Sequence, residues 1–381
     1  MLDFSFSEDQ IMMRKMVHDF AIKEVVPGYK ERVKALTVPR ELIRKIADMG
    51  LLGLNIPEKY GGQPQDAVTT GVVVEEMAKY AEDAALVISY TLGQADFLRL
   101  ATDEVKAEWL PAMARGEKMV LVAATEADAG SDLGNLKMLA RKDGDYYILN
   151  GEKNRVSFGF LGDSAIVLAK TSMSSKRITA FLVPMDLPGV TKTRIDDMGV
   201  ESTCAGIVSF EDVRLHKRYL LGDEEGKGFL EMLRNFDYNR AFLSLMALAK
   251  AAISLDETCE YVKGRVQFGK PIANFQGVSF KLAEAATYLE LGRWLCYRTL
   301  WMKDRGQRHT RESAMAKWWC PMIATEIIHE CLLTHGHYGY SKDLPFEQRL
   351  RDTIGQEIGD GTAGVMKLII ARDIIGREFV P

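Results

Sequence analysis

The sequence predicts an α+β protein in which a β-rich region separates two helical regions. Before about residue 115, apolar residues recur at three- and four-residue spacing, which is typical of amphipathic helices. From about 118 to 225 the chain changes to short β-branched and aromatic runs, and after Asn235 the helical period returns. A doubly wound sheet would require strands and helices to alternate, so this block-wise order favours α+β architecture.

Both outer regions are predicted to be helical domains, at residues 1–117 and 229–381. The stretch 41–49 is typical of one amphipathic helix, and Pro57 with Gly61-Gly62 predicts a loop after it. The amphipathic stretches of the C-terminal domain are 239–263, 276–303, 311–334 and 363–375.

The middle region, residues 118–228, is predicted to be a small antiparallel β domain. Its clearest strands are the apolar runs 146–149, 165–168 and 179–183. Asp143-Gly144 and Asn150-Gly151 are dipeptides that favour hairpin turns, so each predicts a turn between strands.

The composition is that of an ordinary globular chain, since 47% of its 381 residues are hydrophobic and 27% are charged. The 53 acidic and 49 basic residues nearly balance, so no basic surplus indicates nucleic acid or an anionic membrane as a partner. No apolar run reaches the length of about eighteen residues that a membrane helix needs, and Met1-Leu2-Asp3-Phe4 does not resemble a secretory signal. We therefore expect a cytoplasmic protein without membrane insertion.

The five cysteines predict reduced thiols. They are odd in number, widely spaced and include no C-x-x-C pair, which argues against a disulfide framework or a zinc ribbon. Cys331, His335 and His337 lie close in sequence, but their spacing is not that of usual metal ligands, and the segment is typical of a helix end. No metal site is predicted.

The segment 359–364 matches the dinucleotide fingerprint G-x-G-x-x-G. Only 17 residues follow Gly364, whereas a βαβ unit needs about 30 residues and an acid about 20 positions downstream, which argues against a Rossmann unit. What remains is an acid, Asp360, in a glycine turn at a helix start. Backbone N–H groups at such a turn can hold an anion or a carbonyl oxygen.

Two loops carry side chains suited to a ligand. The segment 125–132 follows an apolar run and combines hydroxyl residues with a flexible glycine, so its backbone can approach a flat ligand closely or simply form a turn. The segment 265–271 interrupts two long helices, and its Arg265 is either a phosphate ligand or part of an ordinary interhelical loop.

Taken together, these segments resemble the acyl-CoA dehydrogenase family nearly end to end. The segment 53–62 resembles a loop of that family's first helical domain. The pattern T-E-x-x-x-G-S-D at 125–132 resembles the signature of its β domain, and R-x-x-F-G at 265–269 with Gln276 resembles its C-terminal flavin segment. The resemblance implies an N-terminal helical domain, a middle antiparallel β-barrel and a C-terminal four-helix bundle. It also implies FAD as cofactor and a homotetramer.

The resemblance also implies which residues contact FAD. Thr125 and Ser157 would hydrogen-bond the flavin ring, with Ser157 near the N5 atom, and Ser131 would lie where FAD meets the pantetheine of CoA. Arg265, Phe268 and Gln276 would reach the FAD of a neighbouring subunit. The other implied cofactor contacts are Val122, Ala124, Arg155, Gly336 and Thr362.

The sequence departs from the family pattern at three places. Arg155 occupies the position of a frequent tryptophan, and Gly364 replaces a frequent polar contact. The segment 333–337 lacks the carboxamide and one glycine of the usual Q-x-x-G-G, so only Gly336 is carried over there.

The resemblance implies four contacts with the substrate, which are Ser131, Asp237, Arg240 and Gly361. The family's usual E-G-T is Asp360-Gly361-Thr362 here, so Asp360 is the predicted catalytic base. Some members place the base just before the arginine of D-x-x-R, but that position is Asn239, which cannot take a proton.

The aspartate base leads to a prediction about the acyl group. Aspartate is one methylene shorter than glutamate, about 1.5 Å, and a base misplaced by about 1 Å can lose roughly 100-fold in rate. A Cα that is branched or part of a ring needs the added volume, so we expect an alicyclic or α-branched acyl-CoA, with cyclohexane-1-carbonyl-CoA favoured. The product would be cyclohex-1-ene-1-carbonyl-CoA, and the electrons would pass to an electron-transfer flavoprotein.

Four alternatives stay open from the sequence. Nitroalkane oxidases resemble the same family and also place an aspartate at the base position, so that chemistry is one alternative. A straight- or short-chain acyl-CoA is a further substrate class. Asp96 is either an extra base or a packing acid. A CoA- or NAD-binding protein without catalysis is the non-enzymatic alternative.

Overall fold

The computed structural model describes residues 4–172 and 177–380. Its N-terminal region is helical, as predicted, and α1 begins at a capping box in which Ser7 and Gln10 exchange hydrogen bonds. Asp66 and Thr102 cap two later helices through their side-chain oxygens. The helices are α1 (Glu8–Phe20), α2 (Tyr29–Ala35), α3 (Arg40–Asp48), α4 (Ala67–Tyr80), α5 (Glu82–Phe97) and α6 (Asp103–Ala114).

The middle region contains one twisted set of strands. They are β1 (Val120–Ala123), β2 (Leu139–Asp143), β3 (Tyr146–Val156), β4 (Ser164–Lys170), β5 (Ile178–Pro184), β6 (Val190–Arg194), β7 (Gly206–His216) and β8 (Leu220–Leu221). Their order is β6-β7-β3-β2-β4-β5-β8, and β1 pairs with β4. The pairings among the described residues do not close into a ring, so the implied barrel is not seen as a closed sheet.

Two details of this sheet differ from the sequence prediction. Asp143-Gly144 does turn β2 into β3, with Gly144 at a φ of +60°, but Asn150-Gly151 lies inside β3. The register shifts there, because β7 carries an extra residue at a bulge opposite Asn150, where Asp212 has a φ of +49°. The sheet is also not purely antiparallel, since β1 and the end of β2 run parallel to β4.

The C-terminal region is helical apart from a small ribbon, β9 (Val266–Gln267) with β10 (Lys270–Pro271). The predicted stretches correspond to α7 (Gly228–Gly264), α8 (Gln276–Asp304), α9 (Thr310–Thr334) and α11 (Ala363–Ile374). The sequence analysis did not single out α10 (Phe346–Ile358), which is short and mostly polar, with four apolar residues at four-residue spacing.

One helix, α5, connects all three regions. It is buried along nearly its whole length and packs against α4, α7 and β1. Helix α9 in turn packs against α7, α8, α10 and α11. Helix α10 also packs against α7, so the turn between α10 and α11 lies close to α7. Among the described residues, no helix is both long and apolar enough to cross a lipid bilayer.

Candidate active site

Asp360 lies in the turn between α10 and α11, and the backbone there is left-handed. Asp360 has a φ of +53°, a conformation that aspartate tolerates better than most residues. Gly361 follows at +114°, where a Cβ would lie 2.5 Å from the Cε atom of Met366. Such a conformation persists only where surrounding contacts hold it.

Arg240 supplies one of those contacts. Its Nε atom donates a hydrogen bond to the Asp360 carbonyl oxygen at 2.9 Å, and the residue is only 3% exposed. Asp237 accepts from Arg240 at 2.9 Å and from the Thr310 hydroxyl at 2.7 Å. The predicted pair Asp237 and Arg240 thus lies directly behind the turn that carries Asp360.

Lys317, on α9, supplies a second contact that sequence reasoning missed. Its Nζ atom donates to the Gly361 carbonyl oxygen at 3.1 Å. Burial lowers the pKa of Lys317 to about 8. Burial also raises the pKa of the Asp360 carboxyl, while the charges of Arg240 and Lys317 lower it. The only signal in the sequence is a lysine within the otherwise apolar stretch 314–320.

Ser157 and Asp360 come together through Tyr90, a second residue that sequence reasoning missed. Burial and the charge of Asp360 raise the pKa of Tyr90 to about 12, while a hydrogen bond with Ser157 lowers it. The Tyr90 ring also packs edge-to-face on Phe158 at 5.5 Å. The Tyr90 phenol therefore interacts both with the hydroxyl predicted near flavin N5 and with the charge of the predicted base.

The loop at 125–132 is held beside Ser157 by buried polar contacts. The backbone N–H of Asn154 donates to the Thr125 carbonyl oxygen at 2.8 Å. The next residue, Glu126, pairs at 2.8 Å with Lys153, which is fully buried and also donates to the Ala124 carbonyl at 3.1 Å. This arrangement places Thr125 and Ser157 on neighbouring segments, as one flat ring held by both would require.

Opposing effects set the charge of that buried pair. Burial works to raise the pKa of Glu126, but Lys153 and two backbone N–H groups hold it below its ordinary value. Burial lowers the pKa of Lys153 to about 8, against the attraction of Glu126. Both groups are consequently charged at neutral pH, and they anchor the loop to β3.

The remaining predicted contacts of this region lie around the same loop. Val122 is in β1 opposite Ile166, and Ser131 is exposed in the loop. Arg155 has a φ of +57° and pairs with Asp197, so its guanidinium is already engaged. The structure leaves the flavin contact of Arg155 as a prediction.

Arg265, Phe268 and Gln276 are not brought to Asp360 within one chain. Arg265 follows Arg240 by 25 residues along α7, which corresponds to about 37 Å at 1.5 Å per residue. All three residues are exposed, and Phe268 is 93% exposed at a φ of +51°. An exposed aromatic tip at this distance fits a contact with another subunit better than one with its own site.

The two other C-terminal contacts are helix-end residues. Gly336 follows α9 at a φ of +62° and is exposed. Thr362 is the N-cap residue of α11, and its side chain makes no capping hydrogen bond. Its hydroxyl therefore does not cap the helix.

Asn239 and Asp96 have structural contacts. Asn239 donates to Asn235 at 3.0 Å, and Asn235 donates to the Gly93 carbonyl at 2.7 Å, which ties α7 to α5. Asp96 lies 3.4 Å from Arg99, so its carboxylate is part of an ion pair.

In the cluster of Cys331, His335 and His337, the His335 side chain makes structural contacts. His335 is bonded to the Cys331 carbonyl at 2.9 Å and lies between the rings of Tyr261 and Phe346. Within residues 4–172 and 177–380, no three His, Cys, Asp or Glu side chains are arranged to hold a metal ion.

Family models of three consecutive domains match the chain. The descriptions are acyl-CoA dehydrogenase N-terminal domain at 7–117, middle domain at 122–213 and C-terminal domain at 226–375. A 3-(aryl)acrylate reductase from Clostridium sporogenes is 36% identical over 97% of this chain and 99% of that protein. The caffeyl-CoA reductase-Etf complex subunit CarC from Acetobacterium woodii is 34% identical over 96% and 98%.

Solved structures have the same fold. Butyryl-CoA dehydrogenase from Megasphaera elsdenii superposes with a TM-score of 0.94 at 33% identity, covering 98% of this chain and 100% of that one. The prolyl acyl carrier protein oxidase AnaB gives 0.92 at 30% identity, covering 97% and 100%. The chain belongs to the acyl-CoA dehydrogenase family, whose members are FAD-dependent oxidoreductases.

Proposed function

We propose that this chain takes a Cα proton and a Cβ hydride from an acyl-CoA thioester, with Asp360 as the base. The observation that carries the proposal is the buried Asp360 turn, whose carbonyl oxygen accepts from Arg240 and whose neighbouring Gly361 carbonyl accepts from Lys317. Tyr90, which responds to Asp360 and Ser157 alike, supports a site that contains both, although they come from segments about 200 residues apart.

The turn geometry supports the proton-transfer role of Asp360. The carboxylate would take the Cα proton, and the backbone N–H of Asp360 would hold the thioester oxygen as negative charge develops on it. Bound FAD supplies the acceptor for the hydride that leaves Cβ. Burial makes the Asp360 carboxylate a stronger base, while Arg240 and Lys317 keep it ionised.

The proposed substrate has a ring or branch at Cα, with cyclohexane-1-carbonyl-CoA favoured. An aspartate carboxylate lies about 1.5 Å further from Cα than a glutamate carboxylate on the same backbone would, and a bulkier Cα can occupy that space. The similarity to a prolyl acyl carrier protein oxidase supports this, because the Cα of a prolyl group is part of a ring. The similarity to a butyryl-CoA dehydrogenase supports a straight short chain as the alternative.

We further propose an electron-transfer flavoprotein as redox partner and a homotetramer as the assembly. The Etf complex named for the Acetobacterium relative supports the partner. The exposed ribbon with Arg265 and Phe268 supports the assembly, since a subunit contact would cover it. We also propose that the domain boundaries lie between residues 117 and 118 and between residues 228 and 229.

The first test is an anaerobic titration of the FAD-loaded protein with cyclohexane-1-carbonyl-CoA and with butyryl-CoA. Stoichiometric bleaching of the flavin by the ring substrate alone supports both the reaction and the volume argument. A preference for butyryl-CoA contradicts the volume argument only. Asp360→Asn should bleach at least about 1,000-fold more slowly, because an amide cannot take the proton. Near-normal bleaching by this variant would remove Asp360 from the reaction.

Rapid peroxide formation from a nitroalkane, with no bleaching by either thioester, would favour the nitroalkane oxidase alternative. The control for Asp360→Asn is Asp237→Asn, a neighbouring acid that does not carry the proton in this proposal. It should bind FAD and retain substantially more flavin reduction than Asp360→Asn.

A further inference from the structure

Lys317 is a buried cation that touches neither the substrate nor the reacting atoms in the proposed reaction. Its side chain is fully buried on α9, where a charged lysine is costly unless something compensates it. Its hydrogen bonds go to two backbone carbonyl oxygens, of Gly361 at 3.1 Å and of Glu357 at 3.5 Å. These carbonyls lie on either side of Asp360.

The two carbonyls belong to parts of the chain that would otherwise be poorly held. Glu357 is in the last turn of α10, whose final carbonyls have no partner within the helix. Gly361 is at the left-handed residue that follows Asp360. One ammonium group therefore ties the end of α10 to the turn, and a cation at a helix C-terminus is also favoured by the helix dipole.

Arg240 completes the arrangement from the opposite helix. It bonds the Asp360 carbonyl oxygen itself, so three carbonyls around the turn are held by two buried cations. In the described part of the chain, neither cation forms an ion pair within 4.0 Å with the Asp360 carboxylate. Both therefore act through the backbone and through their charge, which leaves the carboxylate oxygens free for a proton.

We propose that Lys317 is a positioning residue for the base, which holds the Asp360 turn through its flanking carbonyls and keeps the carboxylate ionised by its charge. This inference rests on the proposed role of Asp360. The charged groups that act on Lys317 are Asp360 on the turn, Arg240 on α7 and Glu357 on α10, whose carboxylate accepts a hydrogen bond from Thr325 at 2.6 Å.

The test is the pH dependence of kcat/KM for flavin reduction in Lys317→Met and Lys317→Arg. Removing the charge raises the pKa of Asp360, so less carboxylate is present at low pH. One pKa unit changes the ionised fraction tenfold. We expect Lys317→Met to lose some rate at every pH, because it no longer holds the two carbonyls, and to lose about tenfold more at pH 6 than at pH 9, where the carboxylate is ionised in both. Lys317→Arg keeps the charge and should restore most of the rate at pH 6.

Lys250→Met is the matched control, because Lys250 is equally buried but pairs with Glu82 away from the turn. It should leave the pH profile unchanged even if it lowers thermal stability. A second readout is hydrogen exchange in the FAD-loaded protein. Lys317→Met should speed exchange in the peptide 355–366, and Lys250→Met should not.

The outcomes separate this inference from the proposed function. An equal loss of rate by Lys317→Met at every pH, or no loss at all, would overturn the inference while leaving Asp360 as the base. Wild-type flavin reduction by Asp360→Asn would instead overturn the proposed function. A loss by Lys317→Met that is about tenfold greater at pH 6 than at pH 9, with recovery by Lys317→Arg, would support both.

Discussion

Replacement of Lys153 by methionine tests how the loop at 125–132 is held. The Nζ atom lies 2.8 Å from Glu126 Oε1 and 3.1 Å from the Ala124 carbonyl oxygen, in a fully buried position. Methionine has a similar length and no charge, so Lys153→Met removes both contacts without opening a large cavity. It leaves the Glu126 carboxylate buried without its counter-charge.

The expected cost is about 3–5 kcal/mol, which is typical for removing one partner of a buried ion pair. Two backbone N–H groups, of Lys137 and Met138, still donate to Glu126 at 2.6 Å and 3.0 Å, which favours the lower end of that range. Combining Lys153→Met with Glu126→Gln should recover at least about 1.5 kcal/mol, because the double variant leaves no isolated charge.

The assay is thermal release of FAD, followed by flavin fluorescence, together with the FAD content of the purified protein. Lys153→Met should release FAD at a lower temperature, since the loop that carries Thr125 loses its anchor. The matched control is Lys137→Met in the same loop. Its ion pair with Asp128 is largely exposed, so the expected cost is only about 0–1 kcal/mol.

Equal FAD release temperatures for Lys153→Met and Lys137→Met would refute this reasoning, because burial would then not distinguish the two ion pairs. A double variant that is less stable than the sum of its single changes would also contradict it.

Three further changes test other parts of the site. Tyr90→Phe removes the hydrogen bond with Ser157, which is worth about 0.5–1.5 kcal/mol. Flavin reduction measured by stopped flow should therefore slow about 2- to 10-fold. An unchanged rate would count against a role for the phenol. Gly361→Ala places a Cβ 2.5 Å from Met366 Cε at a φ of +114°. Activity should therefore fall at least roughly tenfold while the circular dichroism spectrum stays normal, and full activity would mean that the turn is not strained. Phe268→Ala should lower both the FAD content and the tetramer fraction in light scattering, and normal values for both would argue against a subunit contact at the ribbon.

The sequence predicted the order of the structural blocks and the limits of several C-terminal helices because those depend on local periodicity, although the long helix at 228–264 was predicted only from 239. The stretch 276–303 corresponds to a helix at 276–304, and 311–334 to one at 310–334. Asp360 could be nominated as base because Asp360-Gly361-Thr362 resembles the family's E-G-T, which is a local pattern. The helix at 346–358 was missed because it is short and mostly polar, and its packing against α7 and α9 stabilises it.

Only the tertiary structure decided which side chains meet at the base. Lys317 lies 43 residues before Asp360 and Tyr90 lies 270 residues before it, so no local pattern relates them. Their effects depend on burial, which strengthens charges and hydrogen bonds that would be weak in water. Asn150-Gly151 shows the same limit, because its local preference for a turn does not decide whether the strand ends there. Pairing with β2 and β7 keeps the dipeptide inside β3, and the bulge that accommodates it lies in β7.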